Sequence, residues 1–306
     1  MTKRHDGPGH GSAPALEIRG RDEIPLREVS GLAFARWRGD PVLAAVGDRG
    51  PDVAYARLPS SGPAKADWLV LDLSTLEAPG ALPRVEQAEA IALDGVRLGV
   101  VLIEDPAMLM VVDLAERRIE HGYALDVVGM AGVDRAWAED GSSRGEGLVL
   151  MRGGHVLVVK EKRPGGLLEF GPDGSPPQGV SPASLLPPGE PWEAPDADRL
   201  VALAWWPGDP AFEDLSDAAI GPEGSLFVLS DQSCAIGRVA LPLAADTQAV
   251  ATLDRIWRLP DVIDKAEGLA FLPDGSAVVA VDHPKVGRNL ARLPPVAQWP
   301  DGSLTG

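Results

Sequence analysis

Five short segments of the chain begin alike and lead, at a nearly constant distance, to an acidic residue. A repeated unit of this kind restricts the fold more than any other feature of the sequence. The segments are Ser30-Gly31-Leu32, Glu89-Ala90-Ile91, Glu146-Gly147-Leu148, Ser216-Asp217-Ala218 and Glu267-Gly268-Leu269. In four of them an acid follows the first residue by 15 positions, pairing Glu89 with Glu104, Glu146 with Glu161, Ser216 with Asp231 and Glu267 with Asp282. The first copy is longer, from Ser30 to Asp48 over 18 positions, with Arg38-Gly39-Asp40 as a longer turn.

The midpoint of the spacing falls on Gly153-Gly154, Glu223-Gly224 and Asp274-Gly275, dipeptides suited to two-residue hairpin turns. Such turns put residue i opposite i+15 on the neighbouring strand, with both side chains on one face. Two further apolar strands follow each hairpin, and four antiparallel strands per repeat make a propeller blade. The expectation is an all-β, five-bladed β-propeller, with six blades as the alternative count, forming one domain over 15–300 behind a disordered leader at 1–14. The fifth unit lacks a fourth strand of its own, so residues 15–19 are expected to supply it and close the ring. The 35 glycines and 29 prolines, spread along the whole chain, fit many tight turns between short strands. Two stretches break the regularity, 59–65 and the Pro-rich 171–199; the second is long enough to cap one face or to lie as a surface loop.

Charge narrows the partners. With 45 acidic and 28 basic residues the chain carries a net charge of -17, which repels nucleic acid and favours cationic guests. Cys234 is the only cysteine, so no intrachain disulfide and no Cys-rich zinc site can form. Neither a signal-like apolar stretch near the start nor an 18-residue apolar run occurs, which points to a cytoplasmic protein without a membrane partner.

The starts of first strands and the ends of second strands share one edge of every blade, so the paired acids should crowd one mouth of the central channel. Glu89 facing Glu104, Glu146 facing Glu161, and Glu267 facing Asp282 would be like-charge pairs, costly unless a proton or cation lies between them. With Asp48 and Asp231 nearby, the set suits calcium, which takes six to eight oxygen ligands. Hydrogen bonds to backbone amides, or to Arg49, Lys160, Lys162 and Arg163, are the competing explanation. His283, beside Asp282, is the candidate ligand or general base. His155 and His121 fall away from this mouth. Trp205 and Trp206 are adjacent, so one could face away from the buried side as a stacking platform, although packing between blades accounts for most tryptophans. No serine elbow, zinc-protease helix, P-loop or dinucleotide fingerprint is present.

The ordered set Ser30-Gly31-Leu32, Glu146-Gly147-Leu148 leading to Val158-Val159-Lys160-Glu161-Lys162, Asp214-Leu215-Ser216 leading to Val228-Leu229-Ser230-Asp231, and Ala266-Glu267-Gly268-Leu269-Ala270 resembles the SdiA-regulated propeller family. The likeness runs over about 29–293. Gly47-Asp48-Arg49-Gly50-Pro51 and Leu272-Pro273-Asp274-Gly275 also resemble the phytase-like esterase propellers. The resemblance implies a calcium site among channel acids but no assigned reaction. Two functions follow as expectations: a calcium-binding propeller presenting its acidic mouth to a small molecule or protein, or a metal-dependent hydrolase of phosphoesters, esters or lactones. For a phosphate substrate the nearby basic candidates are Arg49, Lys160, Lys162, Arg163 and Lys285. Oligomeric state is left open.

Overall fold

A computed structural model of the chain describes residues 13–303 apart from 60–62, 64–65, 80–84, 86, 142, 246–248 and 284–286. Most of the 1–14 leader, parts of 59–65, and Lys285 lie outside the described residues.

The chain is all-β. Its strands form five antiparallel four-stranded meanders. The first comprises β2 (Val29–Trp37), β3 (Asp40–Gly47), β4 (Asp52–Arg57) and β5 (Leu69–Asp72). The second is β6 (Ala90–Leu93), β7 (Leu98–Ile103), β8 (Met108–Asp113) and β9 (Arg118–Asp126). The third is β10 (Gly147–Leu150), β11 (Val156–Lys160), β12 (Gly166–Gly171) and β13 (Arg199–Pro207). The fourth is β14 (Asp217–Ile220), β15 (Leu226–Ser230), β16 (Ala235–Val239) and β17 (Leu253–Arg258). The fifth is β18 (Ala266–Phe271), β19 (Ser276–Val281) and β20 (Leu290–Pro295), completed by the N-terminal β1 (Gly20–Asp22). The second and third meanders join into one eight-stranded sheet through a short parallel pairing of β13 with β9.

Alternation along the strands explains the packing. In β11, Val156 and Val158 face the second meander while Leu157 and Val159 face the fourth, so both sides of the sheet are buried and the strand is a continuous apolar run. The same holds around the molecule: one apolar cluster fills each interface between consecutive meanders, and a fifth, including Leu32, Leu43, Val278 and Leu290, joins the fifth to the first. The first strands β2, β6, β10, β14 and β18 pack in cyclic order about a common axis, β18 returning against β2. Small residues allow this approach. A Cβ at Gly147 would lie 2.8 Å from the backbone nitrogen of Ala218, and one at Gly268 would lie 3.1 Å from that of Leu32.

The fourth strand of the fifth sheet comes from the N-terminal part of the chain, but from further along than the expected residues 15–19. Gly20–Asp22 pairs with Leu290–Arg292, and the Arg19 N–H donates to the Arg292 carbonyl at 2.8 Å. Ala15 instead bridges Arg258 of the fourth meander. Asn289, 1% exposed, fixes the next stretch by accepting from Ile24 N–H at 2.8 Å and donating to the Ile24 and Leu26 carbonyls at 3.0 Å each.

The hairpin register differs from the two-residue expectation. Gly147 faces Val159, Ala90 faces Leu102 and Asp217 faces Leu229, each one residue short of the expected partner. The cause is the turn. Three-residue loops are closed by Asp94 to Leu98, Met151 to His155, Gly221 to Ser225 and Leu272 to Ser276 backbone bonds of 2.8–3.0 Å. The last loop residues Gly154, Gly224 and Gly275 take φ of +76°, +72° and +79°. Only the first meander has the two-residue turn, Arg38-Gly39, with φ of +49° and +94°. The acids 15 residues apart are therefore not cross-strand partners, since a one-residue slip moves a side chain to the other face.

Trp205 and Trp206 do not form a stacking platform. Each is buried, in the clusters toward the second and fourth meanders respectively, and Trp206 Nε1 donates to the Ala244 carbonyl at 3.0 Å. The 171–199 stretch is a strap across the loop end of the molecule. Trp192 is buried and donates to the His155 carbonyl at 3.2 Å, Gly95 N–H donates to the Glu190 carbonyl at 2.7 Å, and Tyr123 OH donates to the Pro195 carbonyl at 2.9 Å. The carboxylate of Glu169, fully buried against His155, accepts from Gln178 and Gly179 N–H at 2.7 and 2.9 Å. No helix among the described residues is long and apolar enough to cross a membrane.

Candidate functional site at the acidic rim

Opposite the hairpin loops, the residues entering each first strand and leaving each second strand form a rim around the axis. At the entry position two meanders carry serine. Ser30 Oγ donates to the Ala88 carbonyl at 2.7 Å and Ser216 Oγ to the Ala266 carbonyl at 2.8 Å, each tying its meander to the next. The other three carry Glu89, Glu146 and Glu267, whose carboxylates make no hydrogen bond or ion pair among the described residues. Glu89 is 7% exposed; the other two are half-buried.

These three acids resist ionisation. Burial pushes Glu89 up to about 8, reinforced by the charges of Glu104, Asp48 and Glu161. Burial pushes Glu267 up to about 9, with Asp231, Asp214 and Asp282 adding to it. Glu146 is raised well above the ordinary range by burial and then by Glu89, Glu104, Glu161 and Glu267, carboxylates drawn from three meanders. The acids thus share one field even though they do not face one another across the strands.

The exit position is acidic in all five meanders, and here the acids are better supplied. Glu104 accepts from Arg144 N–H at 2.9 Å, yet burial still lifts it to about 7. Glu161 is paired with the Lys162 ammonium. Asp231 accepts from Ala266 N–H at 3.0 Å, and burial raises it. Asp282 pairs with Lys265 at 2.5 Å, but its buried Oδ1 has no partner. Asp48 is pushed up to about 6 by burial and by a hydrogen bond with Glu28, which in turn accepts from Arg49 Nε at 2.5 Å. His283 is exposed on the same rim, its carbonyl accepting from Glu28 N–H at 3.0 Å. Arg163 reaches none of these acids through an ion pair among the described residues.

Three further acids belong to the rim and were not picked out as site residues from the repeat. Asp214, 5% exposed, accepts from Ser230 Oγ and from Gln232 N–H at 3.1 Å, and burial pushes it up to about 6. Glu28 is the second. Both lie two residues before an entry position, where the other charged rim residues Arg144 and Lys265 also stand, so the signal was a second repeated offset. The third, Asp217, is 2% exposed and reaches across the axis to accept from Leu269 and Ala218 N–H at 2.7 Å each and from the Leu32 backbone. It occupies the position held by glycine or alanine in the other repeats, with nothing else to mark it.

Lys160 is fully buried beside the rim. Its Nζ donates to the Ser143 carbonyl and Oγ at 3.0 and 3.2 Å and to the Lys162 carbonyl at 2.8 Å, while burial lowers its pKa. It supplies fixed positive charge without occupying a carboxylate. Past the entry residues, the first strands line a cavity of about 60 Å³ with Leu32, Ile91, Leu148 and Leu269, floored by Leu186 and Pro188 of the strap. Among the described residues no three acidic, histidine or cysteine side chains stand close enough to hold a metal ion as they are placed. The donors are all hard oxygens, and the orphaned Asp282 Oδ1 and unpartnered Glu89 are of the type a hard cation takes.

No family model matches the sequence, and no curated protein matches it. Among solved structures the chain is similar to that of a streptogramin B lyase at 11% identity, covering 89% of this chain and 66% of that one with a TM-score of 0.40. It is similar to the RRP9 WD40 repeats at 14% identity, covering 87% and 67% with a TM-score of 0.40. A third is the PQQ-bound aldose sugar dehydrogenase from Streptomyces coelicolor, at 13% identity, covering 92% and 98% with a TM-score of 0.49. The chain spans about two thirds of the length of the first two.

Proposed function

We propose that the five meanders are the blades of a five-bladed propeller closed by β1, and that its acidic mouth binds a cation, calcium foremost, which it presents to a small molecule or protein. The observation that carries this reading is the set of Glu89, buried, and Glu146 and Glu267, half-buried, all lacking protein partners among the described residues and crowded by like charge. Burying carboxylates in this way costs free energy that a proton or a cation offsets. Bound calcium would supply two positive charges and accept oxygen ligands from several blades, with Glu104, Glu161, Asp48, Asp231 and Asp282 completing the donor set. Small side-chain movements would have to draw these groups inward. The resemblance to SdiA-regulated and phytase-like esterase propellers supports the same ligand.

The test is thermal unfolding of chelator-treated protein with and without calcium. At a hundredfold excess over Kd, binding to the folded state adds about 2.7 kcal/mol, a rise in Tm of several degrees. Glu146→Gln with Glu267→Gln should abolish the rise and leave the fold intact. A rise of the same size in that double variant overturns the ligand assignment.

A further inference from the structure

Most cations at the rim are already committed. Lys160 gives its three protons to Ser143 and Lys162 oxygens, Lys162 is held by Glu161, and Lys265 by Asp282. Arg144 donates to the Trp137 and Ala138 carbonyls at 2.7 and 3.3 Å and reaches Asp105 at 3.5 Å. Two are not. Arg49 spends Nε on Glu28 and leaves both terminal NH₂ groups without a protein acceptor among the described residues. Arg27 makes no side-chain hydrogen bond or ion pair among them.

Both arginines line one cavity of about 510 Å³, between the entry to the first meander and the turn after β3, walled also by Leu26, Gly47, Gly50 and Asp52. Its volume lies in the range of small-molecule pockets. The cavity shares the Glu28 and Arg49 wall with Asp48, so it opens beside the acidic rim rather than at a remote surface. The Glu28 carboxylate on that wall is taken by Arg49 Nε, which orients a guanidinium whose side chain is otherwise largely exposed and whose outer edge has no protein acceptor among the described residues. A guanidinium edge is matched by planar or tetrahedral oxyanions, which it binds with two parallel hydrogen bonds.

We propose that this cavity is an anion subsite, in which Arg27 and Arg49 hold a carboxylate or phosphate of the small molecule whose remaining part engages the rim. The ligand is then anionic at one end and meets either the rim's cation or the rim acids themselves at the other. This deepens the rim reading and rests on the rim being the ligand-binding end of the molecule.

The test is calorimetric titration of the full chain with inorganic phosphate and, separately, with acetate, without calcium and then with it. At least one anion should bind, and the tighter of the two names the group. Arg27→Gln and Arg49→Gln should each weaken that binding about tenfold or more, as loss of a charge-assisted hydrogen bond implies. Arg238→Gln, which breaks an outer pair with Asp254, should leave it unchanged. Arg27→Gln keeps the test sound if Arg49→Gln disturbs Glu28. Absence of binding by both anions, wild-type binding in Arg27→Gln, or equal weakening in Arg238→Gln overturns the proposal. Arginine-dependent phosphate binding in a protein whose Tm ignores calcium would remove the cation reading and keep this one.

Discussion

Glu89, Glu104 and Glu267 hold protons in the folded chain at pH values where an ordinary carboxylate, near 4.5, has lost them. The folded state therefore binds more protons than the unfolded one across this interval, and stability must fall as pH rises through it. For the metal-free protein Tm should drop steadily from pH 6 to pH 9, and saturating calcium should flatten the curve; a metal-free Tm that climbs or holds level over that interval would show that the acids are not buried in this way. The repeat made these residues legible as a group because their positions recur. It misjudged their pairing, because whether Gly153-Gly154 forms a two- or a three-residue loop depends on how Met151 and His155 bond across it, which the dipeptide alone does not determine. Asp217 was illegible for a different reason: its role comes from backbone N–H groups on Leu269 and Leu32, far away in sequence.

Individual elements were legible wherever apolar runs had turn residues at both ends, as in β8 and β16, the third strands expected after the second and fourth hairpins. The strap was not, because composition alone does not say whether a Pro-rich stretch finds a surface to bury against. Here Trp192 finds one, against Tyr123 in an edge-on contact with ring centres 6.2 Å apart. Trp192→Ala should cost about 3–5 kcal/mol, the usual loss for a buried aromatic, and should open 171–199 to proteolytic nicking at temperatures where the parent resists. The strap's exposed ion pair, Arg152 with Glu190, is worth less than about 1 kcal/mol, so Glu190→Ala, which removes that pair and keeps the Arg152 Nε bond to the Ala183 carbonyl, should leave both Tm and cleavage nearly unchanged. Equal protease sensitivity in the two variants would mean that charge, not burial, holds the strap.

At the scale of the whole molecule, the fifth sheet pairs β1 (Gly20–Asp22) with β20 (Leu290–Pro295), segments far apart in sequence, so its integrity depends on that long-range pairing. Deleting residues 1–22 removes β1 and exposes the edge of β20, and the shortened chain should aggregate or unfold in a broad, less cooperative transition. Asn289→Ala leaves the Ile24 N–H and the Ile24 and Leu26 carbonyls without their partner and should cost roughly 1–3 kcal/mol for each group left unsatisfied. Sharp unfolding at the parent Tm in both variants would show that the fold does not depend on β1 and the stretch that follows it.

The cyclic order of the first strands also explains why charge collects where it does, since it brings each entry and exit residue to one rim. Calorimetric titration of calcium into chelator-stripped protein, alongside the Glu146→Gln, Glu267→Gln variant, reads that consequence in solution. Saturable binding by the parent, weakened at least tenfold in the variant, is the expected result. No heat in the parent, or identical isotherms for the two proteins, would mean that the gathered carboxylates do not serve a cation.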